Sequence, residues 1–181
     1  MSFWPFIKSK YNLKDDNLKN YNFNSQPFID DVRSIQQGYL SSEPFVIKKI
    51  TGFEPIIHLV ADHGFTAYAN TIETSLSTIK NDPQIVSGFI KASKKGWSSF
   101  LNEDPSAAYD LIQKINPDMP SDKLKYAHKM MKEFNLIEIE GTEIGSMSEN
   151  RWKSFYEKSK ELGVYEQDLD YKKAYTLEFS N

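Results

Sequence analysis

The apolar pattern changes character near Thr71, and no other feature of these 181 residues restricts the fold as strongly. Before that point, short stretches of helical and strand-like period alternate. Phe3, Phe6, Ile7 and Tyr11 recur at close to helical spacing, with Pro5 acceptable only in a first turn. Leu18, Tyr21 and Phe23 then alternate loosely, as a half-buried strand does. Phe28, Ile29, Val32 and Ile35 return to helical spacing and predict a helix that stops at Gly38. Residues 39–40 read as a very short strand, residues 42–50 as a helix opened by Pro44, and residues 54–62 as an apolar run of strand length. Alternating helix and strand predicts an α/β layer with parallel strands.

After Thr71 the reading is almost wholly helical. Asp82 and Pro83 open a segment that carries Ile85, Val86, Phe89, Ile90, Trp97, Phe100 and Leu101 on one broad stripe. Asp104 and Pro105 repeat that opening. Ser121 is the expected cap of a third helix, and Ser148 the cap of a fourth that ends at Gly163.

Composition narrows the function classes. A formal charge of -3, from 22 basic and 25 acidic residues mixed along the chain, leaves no basic stripe for a phosphate backbone. Hydrophobic residues at 39% and aromatics at 14% are enough to build a core, so a globular chain is expected. Cysteine is absent, which removes disulfides, thiolate nucleophiles and Cys-bound zinc. No apolar run approaches the roughly 20 residues of a membrane helix. The first residues lack the apolar core and small-residue cleavage site of an export signal.

Few residues form a chemical constellation. Ser41 and Ser42 lack the G-x-S-x-G elbow of a hydrolase serine, and the eight glycines form no phosphate cradle. No histidine pair has the spacing of a metal-binding helix. His58 is expected to be structural within its apolar run, and His128 to sit at a surface or half-buried position. The aromatic helix positions Trp97, Phe100, Trp152 and Phe155 are expected in the core. Three polar clusters remain, each behind a predicted strand. If those strands are parallel neighbours, Asn24, Gln26, Ser41, Ser42, Glu43, Asp62, His63 and Tyr68 converge on one rim at their carboxyl ends. Such a rim of donors, acceptors and carboxylates suits recognition of a small polar molecule better than covalent chemistry. The plain alternative is three ordinary polar loops.

The series "FWPFIKSKYNL", "YNFNSQPFIDD", "SIQQGYLSSEPF", "LVADHGFTAYANTI" and "DLDYKKAYTLEF" resembles the solute-binding proteins of ABC transporters in the nitrate, sulfonate, taurine and thiamine-pyrimidine group. It is most similar to the branch related to the thiamine-pyrimidine synthases. The resemblance implies a partial periplasmic-binding-protein-like (type II) α/β fold that starts partway along the family pattern. Residues 1–61 would be part of the second lobe, and residues 62–181 the crossing segment and helices that pack on the first lobe. It also implies that Glu43 is the ligand carboxylate, Asn24 and Ser41 or Ser42 secondary contacts, and Tyr68 a wall of the cleft. The implied role is the non-catalytic substrate-binding component of an ABC importer, periplasmic or at the cell surface. Its ligand would be a thiamine-precursor-like pyrimidine, its partner a membrane permease, and no cofactor is expected. A pyrimidine synthase of thiamine biosynthesis, or a fragment without ligand, are the alternatives. Surfaces left by a missing lobe would favour self-association.

Overall fold

A computed structural model describes residues 3–138 and 141–180. The regular elements are helices α1 (Trp4–Lys10), α2 (Gln26–Asp30), α3 (Glu43–Thr51), α4 (Leu76–Asn81), α5 (Pro83–Asn102), α6 (Ser106–Ile115), α7 (Ser121–Glu133) and α8 (Glu149–Glu161). Short 3-10 turns at Asp15–Asn17 and Tyr171–Ala174 complete them. Two compact units form. The first combines Met1–Asn20, His58–Ile90 and Ser146–Asn181, and the second Tyr21–Ile57 and Lys91–Gly145.

Helix boundaries follow local chemistry. Pro5 lies in the first turn of α1 and Pro44 in that of α3, where a missing N–H costs nothing. Asp104 Oδ1 accepts from the Ser106 N–H at 3.0 Å and from its hydroxyl at 2.6 Å, holding the start of α6. Ser148 Oγ accepts from the Arg151 N–H at 3.3 Å and caps α8. Gly163, at φ +68°, turns the chain out of that helix as expected. Helix α7 differs slightly, since its cap position is Pro120 and Ser121 lies inside the first turn. Helix α4, capped by Ser75 through the Thr78 N–H at 3.0 Å, is not expected from the apolar pattern.

Among the described residues there is no strand, so the expected α/β layer is not seen there. The stretches read as strands, Leu18 to Phe23, residues 39–40 and residues 54–62, are irregular or turns. A strand exists only against a neighbour that takes its N–H and C=O groups, and these stretches have none. The helix expected to run from Phe28 to Gly38 stops at Asp30. Asp31 Oδ1 accepts from the Arg33 N–H at 3.0 Å, while Ser34 returns its N–H and hydroxyl to the Asp31 carbonyl at 2.9 and 2.7 Å. These side-chain bonds offer the backbone a turn in place of another helical turn. They leave Val32 at 99% and Ile35 at 88% exposure.

The two units hold separate aromatic cores. In the first, Phe6 is buried against Phe65 (ring centroids 5.5 Å), which meets Phe155 edge-on at 6.0 Å. Trp152 stacks flat on Tyr175 at 4.8 Å, and Tyr156 on Tyr171 at the same distance. In the second, Ile47, Leu101, Tyr109, Leu124 and Met130 are buried, and Phe100 packs on His128 at 4.8 Å. Trp97 is 40% exposed, outside the core expected for it.

The Tyr156 ring is buried, and its hydroxyl donates to the Glu166 and Gln167 carbonyls at 3.3 Å each. Tyr156→Ala should therefore cost about 3–5 kcal/mol of stability, and Tyr156→Phe about 1 kcal/mol, in urea denaturation.

Candidate functional site

Glu43 is the first residue of α3, directly after the cap position Ser42. Ser42 makes no side-chain capping bond, so the polar triplet Ser41–Ser42–Glu43 is not there to cap the helix. The Glu43 side chain instead folds back over the turn, and its Oε2 accepts from the Tyr39 N–H at 2.6 Å. This closure requires the glycine before it. A Cβ at position 38 would lie 2.9 Å from Glu43 Cβ and 3.1 Å from Oε2. Gly38 thus allows the carboxylate to approach the backbone, and does not end a helix as its position in the sequence suggests.

Around that carboxylate lies a small polar network. The Tyr21 hydroxyl faces Glu43 and Ser25, and burial, followed by the Glu43 charge, raises its pKa. Ser25 Oγ accepts from Gln36 Nε2 at 3.1 Å. The other end of the same amide, Gln36 Oε1, is buried with no hydrogen-bond partner. An orphan acceptor of this kind is costly unless a donor reaches it. Tyr21 lies in a stretch of strand-like period and Gln36 near the end of a helical pattern, so neither signals a place in this network from sequence alone.

The remaining expected residues have local partners. Asn24 Oδ1 accepts from the Gln26 N–H at 2.9 Å, and Gln26 Nε2 donates along α2 to Asp30 at 2.7 Å. Both residues are exposed. In the first unit, Asp62 and His63 lie in a turn closed by the Asp62 N–H on the Leu59 carbonyl at 3.1 Å. His63 Nδ1 shares a 2.8 Å hydrogen bond with the Tyr11 hydroxyl, and its carbonyl accepts from Lys10 Nζ. His58 is exposed, with its ring 6.1 Å from that of His63. The Tyr68 hydroxyl accepts from the Ser148 N–H at 2.9 Å, under the Arg151 guanidinium at 4.2 Å from the ring. The eight residues therefore form two local groups, Asn24 to Glu43 in the second unit and Asp62, His63 and Tyr68 in the first.

The first unit also contains a cavity of about 220 Å³ lined by Phe6, Phe65, Phe155 and Leu162 together with Ser154 and Lys158. Ser154, Lys158 and Leu162 share one face of α8 at i, i+4 spacing. Lys158 is ion-paired with Glu161 at 2.9 Å. Among the described residues no group of three or more His, Cys, Asp or Glu side chains is placed to hold a metal ion. No helix there is long and apolar enough to cross a membrane.

Because position 38 has no room for a methyl group, Gly38→Ala should cost about 1–3 kcal/mol in urea denaturation. It should also shift the Tyr39 amide resonance by displacing the carboxylate that accepts its N–H.

No curated protein and no solved structure matches the chain. The profile of the NMT1/THI5-like family matches residues 8–108, a span that contains Tyr21, Ser25, Gln36, Gly38 and Glu43 and covers more than half of the sequence. The chain belongs to the NMT1/THI5-like family, whose members are solute-binding and thiamine-pyrimidine-related proteins.

Proposed function

We propose that the chain is the non-catalytic substrate-binding component of an ABC importer, and that its solute is a thiamine-precursor-like aminopyrimidine. Family membership supports a small-solute ligand. The observation that carries the finer reading is the acceptor network of the second unit, in which Glu43 and the orphan Gln36 Oε1 are joined through Tyr21 and Ser25. A half-buried carboxylate linked through Tyr21 and Ser25 to an amide whose oxygen has no partner favours a ligand that brings N–H donors. It disfavours nitrate or a sulfonate, because facing two anions without a cation between them is costly. An exocyclic amine on a flat heteroaromatic ring supplies such donors, and the Tyr21 ring offers an apolar surface beside them.

In this reading the α/β character belongs to a two-lobed periplasmic-binding-protein-like fold. Residues 1–61 contribute part of one lobe, and residues 62–181 the crossing segment and the helices that follow. Asn24, Gln26, Ser41 and Ser42 are secondary contacts, and Asp62, His63 and Tyr68 are further polar contacts offered by the first unit. The partner is a membrane permease, which places the protein in the periplasm or at the cell surface.

Titration of 4-aminopyrimidines into the chain, followed by NMR, tests the reading. Saturable shifts are expected at the Tyr39 and Glu43 amides, in the range of about micromolar to millimolar. Glu43→Gln should weaken binding about tenfold or more, the loss of a hydrogen bond to a charged group. Equal affinity of the variant, or equal response to taurine and nitrate, would refute the assignment.

A further inference from the structure

Residues 34–39 form a segment free of helix and turn; exposure alternates from Ser34 to Gln37, with Ser34 and Gln36 half-buried and Ile35 and Gln37 exposed, and Gly38 and Tyr39 are both exposed. That is the period of extended backbone. Its inner face is fastened by side chains, through Ser34 Oγ on the Phe28 carbonyl at 3.2 Å and Gln36 Nε2 on Ser25. Its outer face presents Ile35 at 88% and Tyr39 at 63% exposure. Among the described residues, the N–H and C=O groups of Ile35, Gln36, Gln37 and Gly38 enter no backbone hydrogen bond. The segment is thus an unpaired stretch of backbone, anchored on one face by its side chains.

We propose that this edge pairs with the same edge of a second copy of the chain, antiparallel about a two-fold axis at Gln37. This centre brings Ile35 opposite Tyr39 of the other copy, an aromatic and β-branched pair of the kind that stabilises sheets. It also suits the backbone. Tyr39 N–H is committed to Glu43 and Ser34 N–H to Asp31, so the groups left to exchange are those of Gln36 and Gly38. About this axis Gln36 faces Gly38 of the other copy, and each pair exchanges two N–H···O=C bonds.

Three further observations favour a second copy as the occupant. From Ser34 to Ser42 the sequence carries no charge and no proline, so the usual guards of a free edge are missing and two copies meet without like-charge repulsion. Arg33 is neutralised by Asp31 of its own chain at 3.2 Å. The chain exposes 13,358 Å², whereas two separate compact globules of half its mass would together expose about 11,000 Å². That excess, spread over the whole chain, leaves apolar surface such as Ile35 and Tyr39 for a partner to cover. The pairing stands apart from the ligand assigned to Glu43, whose side chain it leaves in place.

Sedimentation velocity of the full chain from 1 to 200 μM, at moderate salt, reads the association. A discrete dimer is expected for the native sequence. Gln37 faces its own copy across the axis, so Gln37→Glu and Gln37→Lys should each weaken the dimer at least tenfold by opposing like charges. An equimolar mixture of the two variants should restore it. Val32→Lys, at an apolar but turn-bound position outside the paired stretch, should leave it unchanged. A native chain that is monomeric throughout, a continuous aggregate without a dimer, or a variant mixture that stays monomeric would overturn the proposal. Equal weakening by Val32→Lys would do the same, because it would indicate unspecific apolar contact.

Discussion

Irregular backbone at Thr66 and Ala67, and between Ser34 and Glu43, is held by side chains in place of a neighbouring strand, and the polar network around Glu43 depends on that substitution. A strand normally gives its N–H and C=O groups to a neighbour. Here Arg151 donates to the Thr66 carbonyl at 2.6 Å and to the Ala67 carbonyl at 3.1 Å, taking the place of an adjacent strand. Tyr68 completes that clamp through the Ser148 N–H, tying the segment to the cap of α8. In the second unit Ser34, Gln36 and Glu43 do the equivalent work, each holding a backbone or side-chain partner within its own neighbourhood.

The same substitution explains why the polar network around Glu43 exists. A carboxylate that must satisfy the Tyr39 N–H has to lie close to the backbone, which only glycine at position 38 permits. Once there, it faces the Tyr21 hydroxyl, and the chain Tyr21, Ser25 and Gln36 follows from it. In the proposed reading, local stability and ligand recognition share one set of atoms. Such sharing is common where binding groups sit on loops, because a loop side chain must be fixed before it can be selective.

Helical regions were legible in the sequence because their signals are local. Asp104 and Ser148 act at the helix starts where their positions suggested, and Gly163 takes the left-handed turn after α8. The stripe of α5 was readable, although Trp97 and Phe89 on it remain largely exposed. The strand stretches were legible only as composition. Apolar, alternating residues such as Ile56 and Ile35 state a preference for pairing, but they do not supply the partner. Likewise Glu43 could be singled out as a polar residue behind an apolar stretch. Tyr21, Ser25 and Gln36 could not, since their meeting depends on how two irregular segments fold over one another.

By itself the sequence determined the starts of α6 and α8, the stop at Gly163, the uncharged stretch from Ser34 to Ser42, and a pattern sufficient to identify the family. These are properties of residues near one another in the chain, where capping and period act over a few positions. The tertiary structure alone decided that the expected helix after Phe28 gives way to an Asp31 turn. It also decided that Glu43 turns back onto Tyr39, and that Gln36 keeps one buried acceptor without a donor. Each of those outcomes is a competition between backbone and side-chain hydrogen bonds over short separations, Asp31 with Arg33 and Ser34, Glu43 with Tyr39, Gln36 with Ser25, which period and capping signals do not rank.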